Sequence, residues 1–230
     1  MFAGPLGRRI EHRMVRGLYA ITPESLDTVS LVEQVRHAIA GGASAVQYRG
    51  KHISQVIARA QAEAIRAATH ATSTMFIVND NIDLALSVGA DGVHLGRDDC
   101  DLRTLSQIRE QRAKRFSSMQ FLIGVSCYNE LALAETAVAA GADYIAFGSF
   151  FSSPTKPQAL RADLELIRLA KARFEIPIVA IGGITVANAR QLISAKVDAI
   201  AVISGLFDAQ NIEHRAREFS NLFITGSHVH

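Results

Sequence analysis

Short apolar runs recur along the chain, each followed by a longer stretch with helical spacing. The runs are Leu18–Ile21, Ala45–Tyr48, Met75–Val78, Gly92–Leu95, Phe121–Val125, Tyr144–Phe147, Ile178–Ile181 and Ala199–Ile203. They are rich in Val, Ile, Leu and Phe and hardly alternate with polar residues, the pattern of parallel strands covered on both faces. Between them, apolar residues sit four apart: Leu31, Val35 and Ile39, then Val56 and Ala60, then Ala64 and Ala68. Residues Leu102–Lys114, Glu130–Ala140, Ala162–Arg173 and Val186–Ser194 read as further amphipathic helices. Gly41-Gly42-Ala43, Gly89-Ala90-Asp91 and Gly141-Ala142-Asp143 each follow a helix, as C-caps leading into short loops do, and Lys196-Val197-Asp198 fills the same slot before the last strand.

Eight β-then-α units predict an α/β protein built as a single (β/α)8 TIM barrel. An open doubly wound sheet also alternates β and α. It more often carries a Gly-rich turn after its first strand, where this chain has Ile21-Thr22-Pro23. The length of 230 residues suits one barrel. The expected organisation is a loose tail over 1–16, a barrel over 17–223 and a frayed end over 224–230.

A hydrophobic share of 49% with 20% charged residues is that of a globular domain. The formal net charge is only +2, so any anion site must come from local clustering. Cys100 and Cys127 fit neither a metal knuckle nor a disulfide framework, which points to the cytoplasm. No apolar run approaches the roughly 20 residues of a membrane span. The basic stretch Arg8, Arg9, Arg13 and Arg16 lacks a signal-peptide core. Basic residues elsewhere are scattered, without the aromatic-lined stripe of a nucleic-acid surface. A homo-oligomer is compatible with the sequence.

In a barrel, chemistry gathers where strands end. After the second strand, Gln47, Arg49 and Lys51 alternate, so an extended segment puts all three on one face. Arg offers a planar fork and Lys a point charge, both suited to phosphate; the plainer alternative is a solvated basic loop. Asn79-Asp80 follows the third strand, and His94-Leu95-Gly96-Arg97-Asp98-Asp99 spans the end of the fourth. Asp80 and Asp99, on neighbouring strands, can converge on Mg²⁺, which takes hard oxygen ligands. Asp98 is the rival ligand, and either Asp80 or Asp99 could instead cap a helix. His94 ends an apolar strand and reads as a packed residue. Ser126 either binds an anion or caps the next helix.

After the sixth strand, Ser149 to Pro157 form a longer loop with several hydroxyls and Lys156, either functional or a plain Ser/Pro loop. Gly182-Gly183 after the seventh strand and Ser204-Gly205 after the eighth match the usual phosphate site of barrels. Two anion pockets predict two phosphorylated small molecules, or one with phosphates at both ends.

The stretches Leu18-Tyr19-Ala20-Ile21-Thr22, Gln47–Lys51, Asn79-Asp80, Asp83-Leu84-Ala85, Ala90–Gly96, Gly124-Val125-Ser126, Thr155-Lys156 and Ala180–Ile184, in this order, resemble the thiamine-phosphate synthase family over roughly Gly17 to Phe207. The resemblance implies a transferase that joins hydroxymethylpyrimidine diphosphate to hydroxyethylthiazole phosphate, releasing diphosphate, in thiamine biosynthesis. It implies that Gln47, Tyr48, Arg49, Gly50, Lys51, Asn79, Ser126 and Lys156 hold the pyrimidine diphosphate. Among these, Arg49, Lys51, Ser126 and Lys156 would serve the chemistry. Ser153, Pro154, Thr155, Gly183, Ile203 and Ser204 would hold the thiazole phosphate, and Asp80 and Asp99 would ligate Mg²⁺. The chain departs from the family pattern at Gly50, Arg97, Ser149 and Ser153, and in a longer stretch between Asp99 and Gly124. A thiazole tautomerase would carry a His where this chain has Tyr128. A non-catalytic phosphate sensor on the same fold could dispense with the metal carboxylates.

Overall fold

The computed structural model describes residues 14–96, 107–108, 110, 121–152 and 161–226. In chain order these form β1 (Gly17–Ile21), α1 (Thr28–Ala40), β2 (Ala45–Tyr48), α2 (Gln55–His70), β3 (Met75–Asn79), α3 (Ile82–Ser87), β4 (Gly92–Leu95), β5 (Leu122–Tyr128), α4 (Leu131–Ala140), β6 (Tyr144–Phe147), α5 (Leu164–Arg173), β7 (Ile178–Ile181), α6 (Val186–Ser194), β8 (Ala199–Val202), α7 (Ser204–Phe207) and α8 (Ile212–Gly226). The strands pair in parallel in sequence order, and β8 closes on β1. The (β/α)8 architecture expected from eight repeating units is the one observed.

Strand alternation sorts side chains into two apolar layers. Tyr19, Ile21, Ala45, Met75, Ile77, Leu122, Tyr144, Ala146, Val179, Ala199 and Ala201 fill the barrel interior. Their neighbours Leu18, Ala20, Val46, Phe76, Val78, Val93, Leu95, Ile145, Phe147, Ala180 and Ile200 face the helix layer. Burial on both faces explains why the strands read as continuous apolar runs. Val15, just before β1, joins the interior cluster at 1% exposure, while Met14 beside it is 38% exposed. At the other end, α8 continues to Gly226, past the expected fraying at 224.

The turn before each even strand is tied to the strand before it. The carboxylates of Asp91, Asp143 and Asp198 accept the N–H groups of Phe76, Ile123 and Ile178, each at 2.8 Å. Ser44 fills the equivalent place before β2 and donates to the Leu18 carbonyl at 3.0 Å. The Gly-Ala-Asp signature therefore combines a helix stop with a strand lock. Gly141 and Gly89 adopt positive φ, and Lys196 does the same at φ 72°.

One helical expectation needs correction. Val56 is 81% exposed, and the buried face of α2 is Ala58, Ala62, Ile65 and Thr69. An Ala-rich helix carries more than one four-residue stripe, and spacing alone does not choose between them. The expected helix over Leu102–Lys114 lies outside the described residues except for 107, 108 and 110. No helix among the described residues is long and apolar enough to cross a membrane.

Candidate active site

A cavity of about 500 Å³ opens at the C-terminal end of the strands, within the range of small-molecule sites. Gln47, Arg49, Lys51, Asn79, Asp80 and Ser126 line one side, and Gly182, Gly183, Ile203 and Ser204 line another. Nine sequence-predicted site residues thus share one cavity, with Gly183, Ile203 and Ser204 completing the first six.

The Gln47–Lys51 segment alternates as expected. Thr22 fixes its path: its N–H donates to the Gln47 carbonyl at 2.9 Å, and its hydroxyl accepts from the Arg49 N–H at 3.0 Å. Lys51 Nζ lies 3.1 Å from Asp80 Oδ2, and Asn79 Nδ2 donates to the same oxygen at 2.6 Å. Asp80 sits at φ 60°, a left-handed conformation costly for a residue with a Cβ. It is not the cap of α3, because Asn81 takes that role by accepting from the Leu84 N–H at 2.9 Å. Its carboxylate, 24% exposed, is left to the cavity.

Tyr48 and Gly50 were expected among the substrate-binding residues and do not line the cavity. Tyr48 follows Gln47 on the strand and so points to the opposite face. There its hydroxyl donates to Gln61 Oε1 of α2 at 2.8 Å. Burial and the nearby Glu24 push its phenol up to about 12. Gly50 packs on that phenol: a Cβ there would come within 2.5 Å of the Tyr48 hydroxyl. Asp99, with its rival Asp98, and Arg97, Ser153, Pro154, Thr155 and Lys156 lie outside the described residues. No group of three or more metal-ligating side chains occurs among the described residues.

Gly182-Gly183 has a packing reason beside any anion role. At φ 103° and 62°, their Cβ positions would lie 2.1 Å from Ser149 Oγ and 2.3 Å from the Ser152 carbonyl. Phe150 and Phe151 donate their N–H groups to the carbonyls of Ile181 and Gly182, so the segment after β6 runs directly against β7. Asn188 anchors this wall, donating to the Gly183 carbonyl at 3.0 Å while it completes a capping box with Thr185.

The cavity floor holds residues that sequence reasoning did not place in the site. Gln47 Nε2 donates to the Tyr19 hydroxyl at 2.8 Å, and Tyr19 meets the Tyr144 hydroxyl at 3.0 Å. Tyr144 meets His94 Nδ1 at 3.1 Å, and His94 Nε2 meets Ser126 Oγ at 2.9 Å. The signal available in the sequence was strand phase: Tyr19, Gln47, His94, Ser126 and Tyr144 all occupy inward positions. Tyr144 crosses the barrel because Gly124 faces it; a Cβ on Gly124 would lie 1.9 Å from Tyr144 Cζ. A bulge between Ser126 and Tyr128 bends β5 here. Cys127 stays buried in the helix-facing layer while Ser126 and Tyr128 reach the cavity.

The Ser126–His94 pair has the spacing of a nucleophile and its base, but not the electrostatics. The group on the far ring nitrogen is a neutral phenol, and burial drives the Tyr144 hydroxyl pKa well above its ordinary 10.0. Burial lowers the His94 pKa to about 4 against a smaller upward pull from Asp80. A neutral imidazole this weakly basic is a poor general base near pH 7. The arrangement favours hydrogen bonding to an anion over covalent catalysis.

Comparison with known proteins gives the family. The thiamine monophosphate synthase family matches residues 18–206. The thiamine-phosphate synthase of Methylobacillus flagellatus is 49% identical over 210 residues, covering 91% of this chain and 96% of that protein. That of Nitrosospira multiformis is 46% identical over 211 residues, covering 92% and 87%. The thiamine phosphate pyrophosphorylase structure from Pyrococcus furiosus superposes with a TM-score of 0.81 at 34% identity, covering 93% of this chain and 98% of that one. With a closed barrel, a polar cavity at its strand ends and these relatives along nearly its whole length, the chain belongs to the thiamine monophosphate synthase family of transferases.

Proposed function

We propose that the cavity joins an aminopyrimidine methyl diphosphate to a hydroxyethylthiazole phosphate. The observation that supports this reading is that Arg49, Lys51, Asp80 and Ser126 line one cavity together with Gly182, Gly183, Ile203 and Ser204. Arg49 and Lys51 supply positive charge where a diphosphate would sit, and Ser126 offers a hydroxyl beside them. Gly183, Ile203 and Ser204, with Ser153, Pro154 and Thr155, would take the thiazole phosphate. Gln47 and Asn79 would orient the pyrimidine, and Lys156 would add a third cation.

Asp80 suits Mg²⁺ chemically. Asp80 is a partly exposed carboxylate at a strand end, and Mg²⁺ binds commonly through one or two carboxylates completed by substrate phosphate oxygens and water. Asp80 with Asp99 would hold it, and when bound it neutralises charge on the diphosphate.

In the reaction, the bond from the pyrimidine methylene carbon to the diphosphate oxygen breaks, and diphosphate leaves with the electron pair. The thiazole nitrogen lone pair forms the new C–N bond to that carbon. No proton transfer is required, which suits a site where burial holds the His94 imidazole neutral. Arg49 and Lys51 stabilise the charge growing on the leaving group. The two walls hold the partners within reach and keep water from the cationic carbon.

Calorimetry with inorganic diphosphate and Mg²⁺ tests the assignment of the basic wall. The wild-type chain should bind, and Arg49→Ala should weaken binding by about tenfold or more, the loss expected for a hydrogen bond to a charged group. Wild-type protein that is folded yet binds no diphosphate would refute the reading.

A further inference from the structure

The four hydrogen bonds along the cavity floor join side chains from five strands into one continuous path. Two of its members, Tyr19 and Tyr144, are 1% and 0% exposed, so an unspent donor there is costly. The path runs from the pyrimidine end of the proposed site at Gln47 to its diphosphate end at Ser126. Resting on that reading of the two ends, we propose that these residues form a polarised relay through which the Gln47 amide fixes the direction of the Ser126 hydroxyl.

The polarity follows from counting hydrogens. Gln47 presents Nε2 to Tyr19, and an amide nitrogen only donates. The Tyr19 oxygen therefore accepts, and its single hydrogen goes to Tyr144, the other partner it has among the described residues. The Tyr144 oxygen is then an acceptor, so its hydrogen goes to His94 Nδ1. A neutral imidazole has one N–H, and with Nδ1 accepting, that hydrogen sits on Nε2 and points at Ser126 Oγ. Ser126 accepts from His94 and has its own hydrogen free for the cavity, as a donor to an anionic oxygen.

Turning the Gln47 amide over reverses every bond. Tyr19 would donate to Gln47 Oε1, Tyr144 to Tyr19, His94 Nδ1–H to Tyr144, and Ser126 to His94 Nε2. Ser126 would then show only lone pairs to the diphosphate. A ligand amino group that donates to Gln47 Oε1 holds the amide in the first orientation, so occupancy of the pyrimidine end prepares Ser126 for the leaving group. Tyr144 is a positioning residue in this scheme: it is buried and not among the cavity-lining residues.

The test uses the full chain and two readouts. In protein carrying ¹⁵N-labelled histidine, NMR identifies which ring nitrogen of His94 bears the hydrogen, with His94→Gln marking its signals. The relay requires the Nε2–H form in the wild-type chain and loss of that fixed form in Tyr144→Phe. Calorimetry with inorganic diphosphate and Mg²⁺ then compares Ser126→Ala, Tyr144→Phe and the double variant. Ser126→Ala should weaken binding by about tenfold. Tyr144→Phe should weaken it several-fold, and the double variant should bind no more weakly than Ser126→Ala alone, because the tyrosine acts through the serine. An Nδ1–H form in the wild-type chain overturns the relay, and so does a Tyr144→Phe penalty that adds in full to that of Ser126→Ala. Should Tyr144→Phe fail to fold, the His94 form in the wild-type chain decides. Should wild-type protein bind no diphosphate, the synthase reading fails, while the NMR readout still decides the relay.

Discussion

Lowering the pH should expose His94 as a stability switch. Its pKa falls from the ordinary 6.5 to about 4 in the folded chain because burial disfavours the imidazolium. The unfolded chain therefore takes up this proton first as the pH drops. The contribution to stability is fully present above 6.5 and is lost as the pH falls from there toward 4. The whole interval is worth roughly 3 kcal/mol at about 1.4 kcal/mol per pH unit. Between pH 7 and pH 4.5 the loss should be roughly 2 to 3 kcal/mol. Because carboxylates titrate in the same range, the quantity to measure is the difference between wild type and His94→Gln in urea unfolding at each pH. That variant carries an amide with no proton to gain, so it should lose less stability on acidification by this amount. Equal pH dependence in the two chains would refute the buried-neutral account of His94.

Three further outcomes follow from named contacts. Gly124→Ala should destabilise the fold by about 1–3 kcal/mol or more in urea unfolding, since the new methyl would collide with the Tyr144 ring. Tyr48→Phe should cost about 1–3 kcal/mol by leaving Gln61 Oε1 without its donor, while kcat and KM stay at wild-type values, because the hydroxyl faces the helix layer. Lys51→Met should lower kcat by about 10²-fold or more if Lys51 stabilises the leaving diphosphate, and steady-state kinetics would show an unchanged kcat if it serves only as an ion-pair partner of Asp80.

The fold was legible because the strands are buried on both faces and the turn before each even strand carries Gly or Asp. Boundaries moved only at ends: β5 runs on to Tyr128 through a bulge that no local apolar pattern announces. The polar trio of Gln47, Arg49 and Lys51 was readable from alternation alone. That same alternation, applied to Tyr48, sends it to the helix layer; the expectation that it binds substrate came from family resemblance across a contiguous segment. The floor relay was not readable. Tyr19, His94 and Tyr144 look like ordinary inward strand residues, and their connection depends on Gly124 clearing the barrel axis for a tyrosine ring. Asp80 illustrates a different limit: its left-handed backbone, which frees the carboxylate and leaves the cap to Asn81, has no signature in composition.

The most direct measurement is product formation by the purified chain given both the aminopyrimidine diphosphate and the thiazole phosphate, with Mg²⁺ and with excess chelator. The account predicts thiamine phosphate and diphosphate in equal amounts when both substrates and Mg²⁺ are present, and none when either substrate or the metal is withheld. Product undiminished by chelator would contradict the metal role of Asp80 and Asp99. No product from folded protein in the complete mixture would contradict the synthase reading itself.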